Sequence, residues 1–381
     1  MSALLKYLEK KPPYYDHIDY ERMPRIFRAV SHNFHLPKTV HVVGTNGKGS
    51  TGRFLAQILE SAGLKVGHYT SPHILEFNER FYKDGAHMGY DELDALHERL
   101  LAILGIYESE LSYFEYATLL AFLAYEECDY MILESGVGGE FDATNAAPKE
   151  LSIVTPISFD HQDLLGKTIK EIAFTKLQSV NNKAVAAPQE FDEAVEIIKQ
   201  REAILRLEFI YVKKDEYNSG VEKYAALHAL PPFLKENLFT ALHAAAALGV
   251  EADLSKIKKL NLNGRFQKIA ANITIDVGHN ISAAKAAAEI FKGKKVVLIY
   301  NSYKDKDYKA VLNILSPIIK RVEIIDIQNP YRQSAEKEIK AALLDMGAEV
   351  KDFSRIDKNE EYFIFGSFGV AEAFLRYFYE K

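Results

Sequence analysis

Residues 40–51 read Val40-His41-Val42-Val43-Gly44-Thr45-Asn46-Gly47-Lys48-Gly49-Ser50-Thr51, and this stretch decides the fold. A short apolar run, a glycine-rich turn holding Lys48 and a helix-forming segment follow in the order that builds a phosphate cradle. Backbone N–H groups of such a turn point inward, and the helix N-terminus adds partial positive charge. Lys48 supplies a full charge where phosphate oxygens sit. The spacing departs from the common G-x-x-x-x-G-K-[ST] pattern, because Gly49 separates Lys48 from Ser50. The stretch reads as a nucleotide triphosphate site; an ordinary strand-to-helix turn is the plainer alternative.

The chain of 381 residues is long enough for two or three domains. Hydrophobic residues at 48% and charged residues at 26% suit a packed globular protein. A net charge of −6, with no basic cluster, argues against nucleic acid as a partner. Cys128 stands alone, so no intrachain disulfide forms. The start, M-S-A-L-L-K-Y-L-E-K-K-P-P, lacks a signal-peptide pattern. No run approaches about 20 apolar residues, so no membrane span is expected, and the cytoplasm is the expected location.

Outward from the phosphate loop, strand and helix alternate, the pattern of a mostly parallel sheet covered by helices. Strands are expected at Val40–Val43, Lys65–Tyr69, Tyr130–Leu133, Ser152–Thr155 and Ala184–Ala187. Helices are expected at Lys48–Ser61, Tyr90–Leu104, Phe114–Glu127, Thr168–Val180 and Glu190–Arg201. Thr168 and Glu171 have the spacing of a capping box. Glu208–Leu230 reads as less regular, and Phe233–Leu248 as helix. Beyond a turn at Asn261–Gly264 the alternation restarts, with strands near Ile269–Asp276, Lys295–Tyr300, Val322–Ile327 and Tyr362–Phe365 and a last helix at Ala371–Tyr379. The fold class is α/β: a mostly parallel phosphate-loop domain over 1–264 and a smaller Rossmann-like C-terminal domain over 265–381.

Four segments end an expected strand in polar residues, on the edge where parallel sheets bind ligands. They are the phosphate loop, Thr70-Ser71-Pro72-His73, Glu134-Ser135-Gly136-Val137-Gly138-Gly139-Glu140-Phe141-Asp142, and Asp160-His161-Gln162-Asp163. ATP chemistry needs a divalent cation, and Mg²⁺ prefers oxygen ligands. Ser50, Ser71, Glu134 and Asp160 are candidates. Glu134 reads equally as a turn cap, and His161 as a satisfied polar group. Lys176 reads locally as a solvated helix lysine. Asn237 suits an adenine edge or a helix surface. Asp276-Val277-Gly278-His279-Asn280 suits a ribose contact, or a turn with Asn280 as cap.

As an ordered set these segments resemble the folylpolyglutamate synthase and dihydrofolate synthase family of Mur-type ATP-dependent amide ligases. The motifs are G-T-N-G-K-G-S-T, Y-T-S-P-H-I-L-E-F-N-E-R, S-Y-F-E-Y-A-T, E-S-G-V-G-G-E-F-D-A-T-N, D-H-Q-D-L-L-G-K-T-I-K-E-I-A-F-T-K, N-G-R-F-Q and D-V-G-H-N. The resemblance implies ATP contacts from Thr45, Asn46, Gly47, Lys48, Gly49, Ser50, Asn237, Arg265, Asp276 and His279. It implies one Mg²⁺ on Ser71 and Glu134 and a second on His161, and catalytic roles for Lys48, Lys176, Glu134 and His161. Lys176 matches the lysine that the family carboxylates to a carbamate, although its neighbours Thr175 and Leu-Gln-Ser depart from the family pattern. Pteridine-side contacts are implied for Asp19, Tyr20, Glu21, Ser112, Tyr113, Phe114, Glu115, Phe141, Asp142 and Ala143. Glu140 stands where the family commonly has Arg, and Ile281 where Pro is usual.

The implied reaction joins L-glutamate to dihydropteroate or a reduced folate through an acyl phosphate, with ATP consumed and the enzyme a monomer. The chain offers no convincing Ser/His/Asp or Cys/His set, and this route needs no protein nucleophile. The alternative is a nucleotide-dependent switch of the same fold without ligase activity.

Overall fold

Residues 2–11 and 19–380 are described by the computed structural model of the chain. They form two compact units: the second comprises Ile74–Glu76 and Leu262 onward, and the first holds the remainder.

The first unit is built on one eight-stranded sheet. Its strands are β1 (Lys38–Val43), β2 (Val66–Tyr69), β3 (Phe81–Lys83), β4 (Ala86–His87), β5 (Tyr130–Glu134), β6 (Leu151–Val154), β7 (Ala184–Ala186) and β8 (Phe209–Tyr211). Their order is β4-β3-β2-β5-β1-β6-β7-β8. β2, β5, β1, β6, β7 and β8 run parallel, and β3 and β4 add an antiparallel hairpin at the edge. β1, β5 and β6 are buried almost throughout, as continuous apolar runs in a sheet covered on both faces demand. Helix Lys48–Ser61 packs against helix Pro232–Ala247 on one face. Helix Tyr113–Ala124, nearly all buried, packs on the other.

The second unit has a six-stranded sheet of β9 (Gln267–Ala270), β10 (Ile273–Ile275), β11 (Val296–Tyr300), β12 (Ile319–Ile324), β13 (Val350–Asp352) and β14 (Tyr362–Phe365). The order is β13-β12-β11-β14-β10-β9, parallel except for the β9–β10 pair. Ile74 packs in this unit, beside Ile273, Ile275 and Val277.

The mixed α/β class is as expected, and helices Lys48–Ser61 and Tyr90–Leu104 have the expected bounds. Two expectations need correction, and two strand segments stand where none was expected. The less regular stretch after Glu208 holds β8 and helix Ser219–His228, whose start is capped by the Asn218 side chain accepting Val221 N–H at 2.9 Å. The single strand Ile269–Asp276 is a hairpin that turns at 271–272, because Ala-Asn interrupts the apolar run. The β3–β4 hairpin escaped notice although Asp84-Gly85 is a strong turn signal. So did β13, whose three residues lie at least partly exposed at the sheet edge and carry little apolar signal. No helix of the described residues is long and apolar enough to cross a membrane.

Candidate active site

β1 runs through the middle of the first sheet and delivers the phosphate loop to its carboxyl edge. Gly44 has φ +148°, and a Cβ there would lie 2.0 Å from Thr155 Oγ1, so no side chain fits. Gly47 has φ +84°, in the left-handed region, and a Cβ would meet Asn237 Oδ1 at 2.7 Å. The loop is pinned from the segment after β6. Thr45 N–H and Asn46 N–H both donate to Pro156 O, at 3.0 and 3.1 Å. Thr45 Oγ1 donates to Ser158 O at 3.1 Å and accepts Ser158 N–H at 3.0 Å. The N–H groups of Gly47, Lys48, Gly49 and Ser50 make no hydrogen bond to the described residues. Four convergent donors at the start of a 14-residue helix form a seat for an anion. Lys48 is half-buried beside them. Ser50 Oγ is tied down, donating to Gly47 O at 3.2 Å and accepting from Asn237 Nδ2 at 2.7 Å. Asn237, a candidate reader of the base, thus braces the turn from below.

Glu134 ends β5, the neighbour of β1, and is buried. Its Oε2 accepts from Thr70 Oγ1 and from Ser71 N–H, the latter at 3.2 Å. Oε1 takes no hydrogen bond among the described residues. One carboxylate oxygen is therefore fixed and the other is left for a ligand, and Ser71, whose N–H reaches the fixed oxygen, brings a hydroxyl to the same strand end. This oxygen set suits a hard cation that keeps water and phosphate as its other ligands. The described residues contain no group of three His, Cys, Asp or Glu that would hold a metal ion by themselves. His161 follows β6. It adopts φ +49°, unusual for a residue with a Cβ, and its N–H donates to Asp160 Oδ1 at 2.9 Å. Its Nε2 lies 3.8 Å from Asp160 Oδ2.

Lys176 overturns its bland local reading. Helix Ile169–Leu177, started by the Thr168–Glu171 capping box, turns its side chain inward. The residue is 4% exposed, and Nζ donates to Gly44 O at 2.9 Å. Burial first, and then the nearby Lys48 ammonium, bring its pKa down to about 7.

The residues expected on the pteridine side divide into two kinds. Tyr20 and Phe141 are 45% and 48% exposed, and their rings lie 4.3 Å apart. They form an open aromatic pair. Ser112 and Glu115 are occupied otherwise: they form the capping box of helix Tyr113–Ala124, and Glu115 Oε2 also accepts from Arg22 Nε at 2.8 Å. Phe114 lies against Tyr69 and fills the space where a side chain on Gly136 would stand. Tyr113 has Arg80 over its ring. Asp142 spends its carboxylate on its own turn, accepting from Gly136, Val137 and Thr144 N–H at 2.8, 2.9 and 3.0 Å. Ala143 is buried behind it. Asp19 Oδ1 accepts Glu21 N–H at 3.1 Å, ahead of helix Arg22–Val30.

In the second unit, Asp276 is half-buried and accepts Phe266 N–H at 2.8 Å and Gly278 N–H at 2.7 Å. Burial raises its pKa. Arg265 lies over the Phe368 ring. His279 Nδ1 is 3.1 Å from Val277 O. Asn280 caps helix Ile281–Ile290, the plainer of its two readings.

Sequence reasoning missed the residues that hold others. Thr70 orients Glu134, and its place in T-S-P-H was the available signal. Arg80 is buried and donates from Nε to His73 Nδ1 at 2.9 Å. No local pattern marks an arginine at that spot as buried.

The Mur ligase middle domain model matches residues 42–218, the stretch that holds the anion seat after β1, the half-satisfied carboxylate of Glu134 and the buried Lys176. A dihydrofolate synthase/folylpolyglutamate synthase of Buchnera aphidicola is 30% identical over 360 residues, 86% of this chain and 83% of that protein. The folylpolyglutamate synthetase structure of Helicobacter pylori superposes with a TM-score of 0.82 at 40% identity, covering 99% of this chain and 98% of that one. The bifunctional folylpolyglutamate synthase/dihydrofolate synthase of Yersinia pestis, complexed with AMPPNP and a Mn ion, gives 0.83 at 25% identity, covering 99% and 97%. The chain belongs to the dihydrofolate synthase/folylpolyglutamate synthase family.

Proposed function

We propose that this protein uses ATP to activate the carboxylate of a dihydropteroate or reduced folate and joins it to the amino group of L-glutamate. The observation that carries the reading is the pairing of adjacent strand ends: four unspent N–H groups after β1, and a carboxylate with one free oxygen at the end of β5. A substrate carboxylate oxygen attacks the γ-phosphorus of ATP, and the bond to ADP breaks. The amine of glutamate then attacks the acyl carbon, and phosphate leaves. The phosphate loop holds the triphosphate, and Lys48 offsets the charge that moves to the leaving oxygen. Glu134 Oε1 and Ser71 would hold Mg²⁺, with His161 serving a second ion; the cation would neutralise the phosphates.

Lys176 is assigned the carbamate. Only a neutral amine attacks CO₂, and a pKa near 7 leaves much of this amine neutral at working pH. The modification converts the cation beside Gly44 O into an anion able to face a metal. Tyr20 and Phe141 offer the flat pteridine an aromatic seat. Arg265, Asp276 and His279 are assigned to the nucleotide from their place in the family's motifs. The protein is placed in the cytoplasm as a monomer.

The test is ADP release with ATP, glutamate and either dihydropteroate or tetrahydrofolate. Turnover that requires both glutamate and the pteroate supports the ligase. Equal turnover without them would leave only the nucleotide-dependent switch.

A further inference from the structure

A polar chain runs from the middle of β1 to the glycine turn after β5. His41 Nε2 lies 2.9 Å from Thr144 Oγ1. Thr144 Oγ1 lies 2.5 Å from Asp142 Oδ1 and donates to it. A hydroxyl has one hydrogen to give. Since that hydrogen goes to the carboxylate, His41 is the donor at Nε2, and its tautomer is fixed. Asp142 in turn gathers Gly136 N–H and Val137 N–H at its other oxygen. The chain therefore ends on the backbone of the turn that carries Phe141, the residue next to Asp142.

The histidine is costly where it stands. It is 0% exposed, and its Nδ1 is buried with no partner. An apolar side chain would avoid that cost. Burial pushes its pKa down to about 3, so Nε2–H and a neutral ring persist across the working range. What the imidazole provides is one directed donor.

We infer that His41 and Thr144 are positioning residues for the pteroate-side substrate, locking Asp142 and thereby the turn that presents Phe141 beside Tyr20. The same strand enters the phosphate loop at Gly44, three residues on, so one rigid element sets both seats. This rests on the ligase reading above.

The experiment compares Thr144→Val, which removes the hydroxyl, with Thr144→Ser, which keeps it. His41→Leu and His41→Gln repeat the comparison from the other end, since the Gln amide can donate where Nε2 does. ADP release is followed with dihydropteroate varied at saturating ATP and glutamate. The KM for dihydropteroate should rise about tenfold in Thr144→Val and His41→Leu. The KM for ATP and kcat should stay within about twofold, with Ser and Gln restoring most of the loss. An unchanged dihydropteroate KM, or an equal rise in the KM for ATP, would overturn the inference. So would insoluble protein from both Thr144→Val and His41→Leu, which would assign the chain to folding. An inactive wild type would instead sink the ligase reading itself.

Discussion

Two glycine-rich turns leave adjacent parallel strands of the same sheet, and they spend their backbone donors in opposite ways. The turn after β1 leaves four N–H groups unspent at the head of a 14-residue helix. The turn after β5 directs two of its N–H groups onto the chain's own Asp142. Glycine lets both backbones bend, but the nearest acceptor decides what each turn is for. Where a carboxylate comes six residues later, the turn closes on itself and becomes a scaffold. Where none does, the donors wait for an anion from outside.

The largest effect should come from the open turn. Lys48→Ala should lower kcat by roughly 10² to 10³ while leaving the fold intact, because the lysine is only half-buried. Circular dichroism together with ADP release checks both halves. A loss of structure instead would mean that Lys48 props the turn rather than serving a ligand.

Lys176 sharpens the same contrast through pH. Its ordinary pKa of 10.5 is brought to about 7 by burial, so the native protein releases this proton well before the unfolded chain does. Between those values the unfolded state binds more protons, and stability rises with pH, by up to about 1.4 kcal/mol per unit. Urea unfolding in CO₂-free buffer from pH 7 to 10 should show this slope, and Lys176→Met should flatten it. Activity should fall as pH drops through about 7, where the amine protonates and can no longer hold a carbamate. Added bicarbonate should restore turnover above that point, and Lys176→Met should be blind to it. Activity indifferent to bicarbonate in stripped buffer would break the carbamate assignment.

The closed turn predicts a different signature. Asp142→Ala strands the two turn N–H groups together with those of Thr144, at a cost of about 3 kcal/mol. The loss should appear in urea unfolding and in the KM for dihydropteroate. Binding of a fluorescent ATP analogue should change little, because the phosphate loop is pinned from Pro156 and Ser158 and not from Asp142.

Much of this was legible before any coordinates. The phosphate loop, the alternation of strand and helix along the chain and the ends of two helices follow from apolar runs, glycine placement and helical periodicity. The Thr168–Glu171 capping box was readable because its partners are three residues apart. The Asp142–Gly136 and Thr70–Glu134 contacts were not readable from residue type alone. The first depends on the turn folding back, and the second on two strand ends that lie 64 residues apart in sequence. Lys176 shows the limit most clearly. Its neighbours describe a helix lysine, and only the packing of that helix against the start of the phosphate loop removes it from water.

The smallest effect concerns the exposed partner of the closed turn. Tyr20 and Phe141 touch at 4.3 Å with an interplanar angle of 39°, and both are about half exposed. Neither ring sits in the core, so replacing one should cost the fold little. An aromatic contact is worth about 0.5–1.5 kcal/mol beyond its buried area. Phe141→Ala should therefore raise the KM for dihydropteroate roughly three- to tenfold, with kcat unchanged, and Tyr20→Ala somewhat less. Tyr20→Phe keeps the ring and should leave the KM near its original value. A rise in KM for that variant as large as for Tyr20→Ala would show that the hydroxyl, and not the ring face, reads the substrate. The closed turn would then present a hydrogen-bonding group where the geometry of the pair indicates a stacking surface.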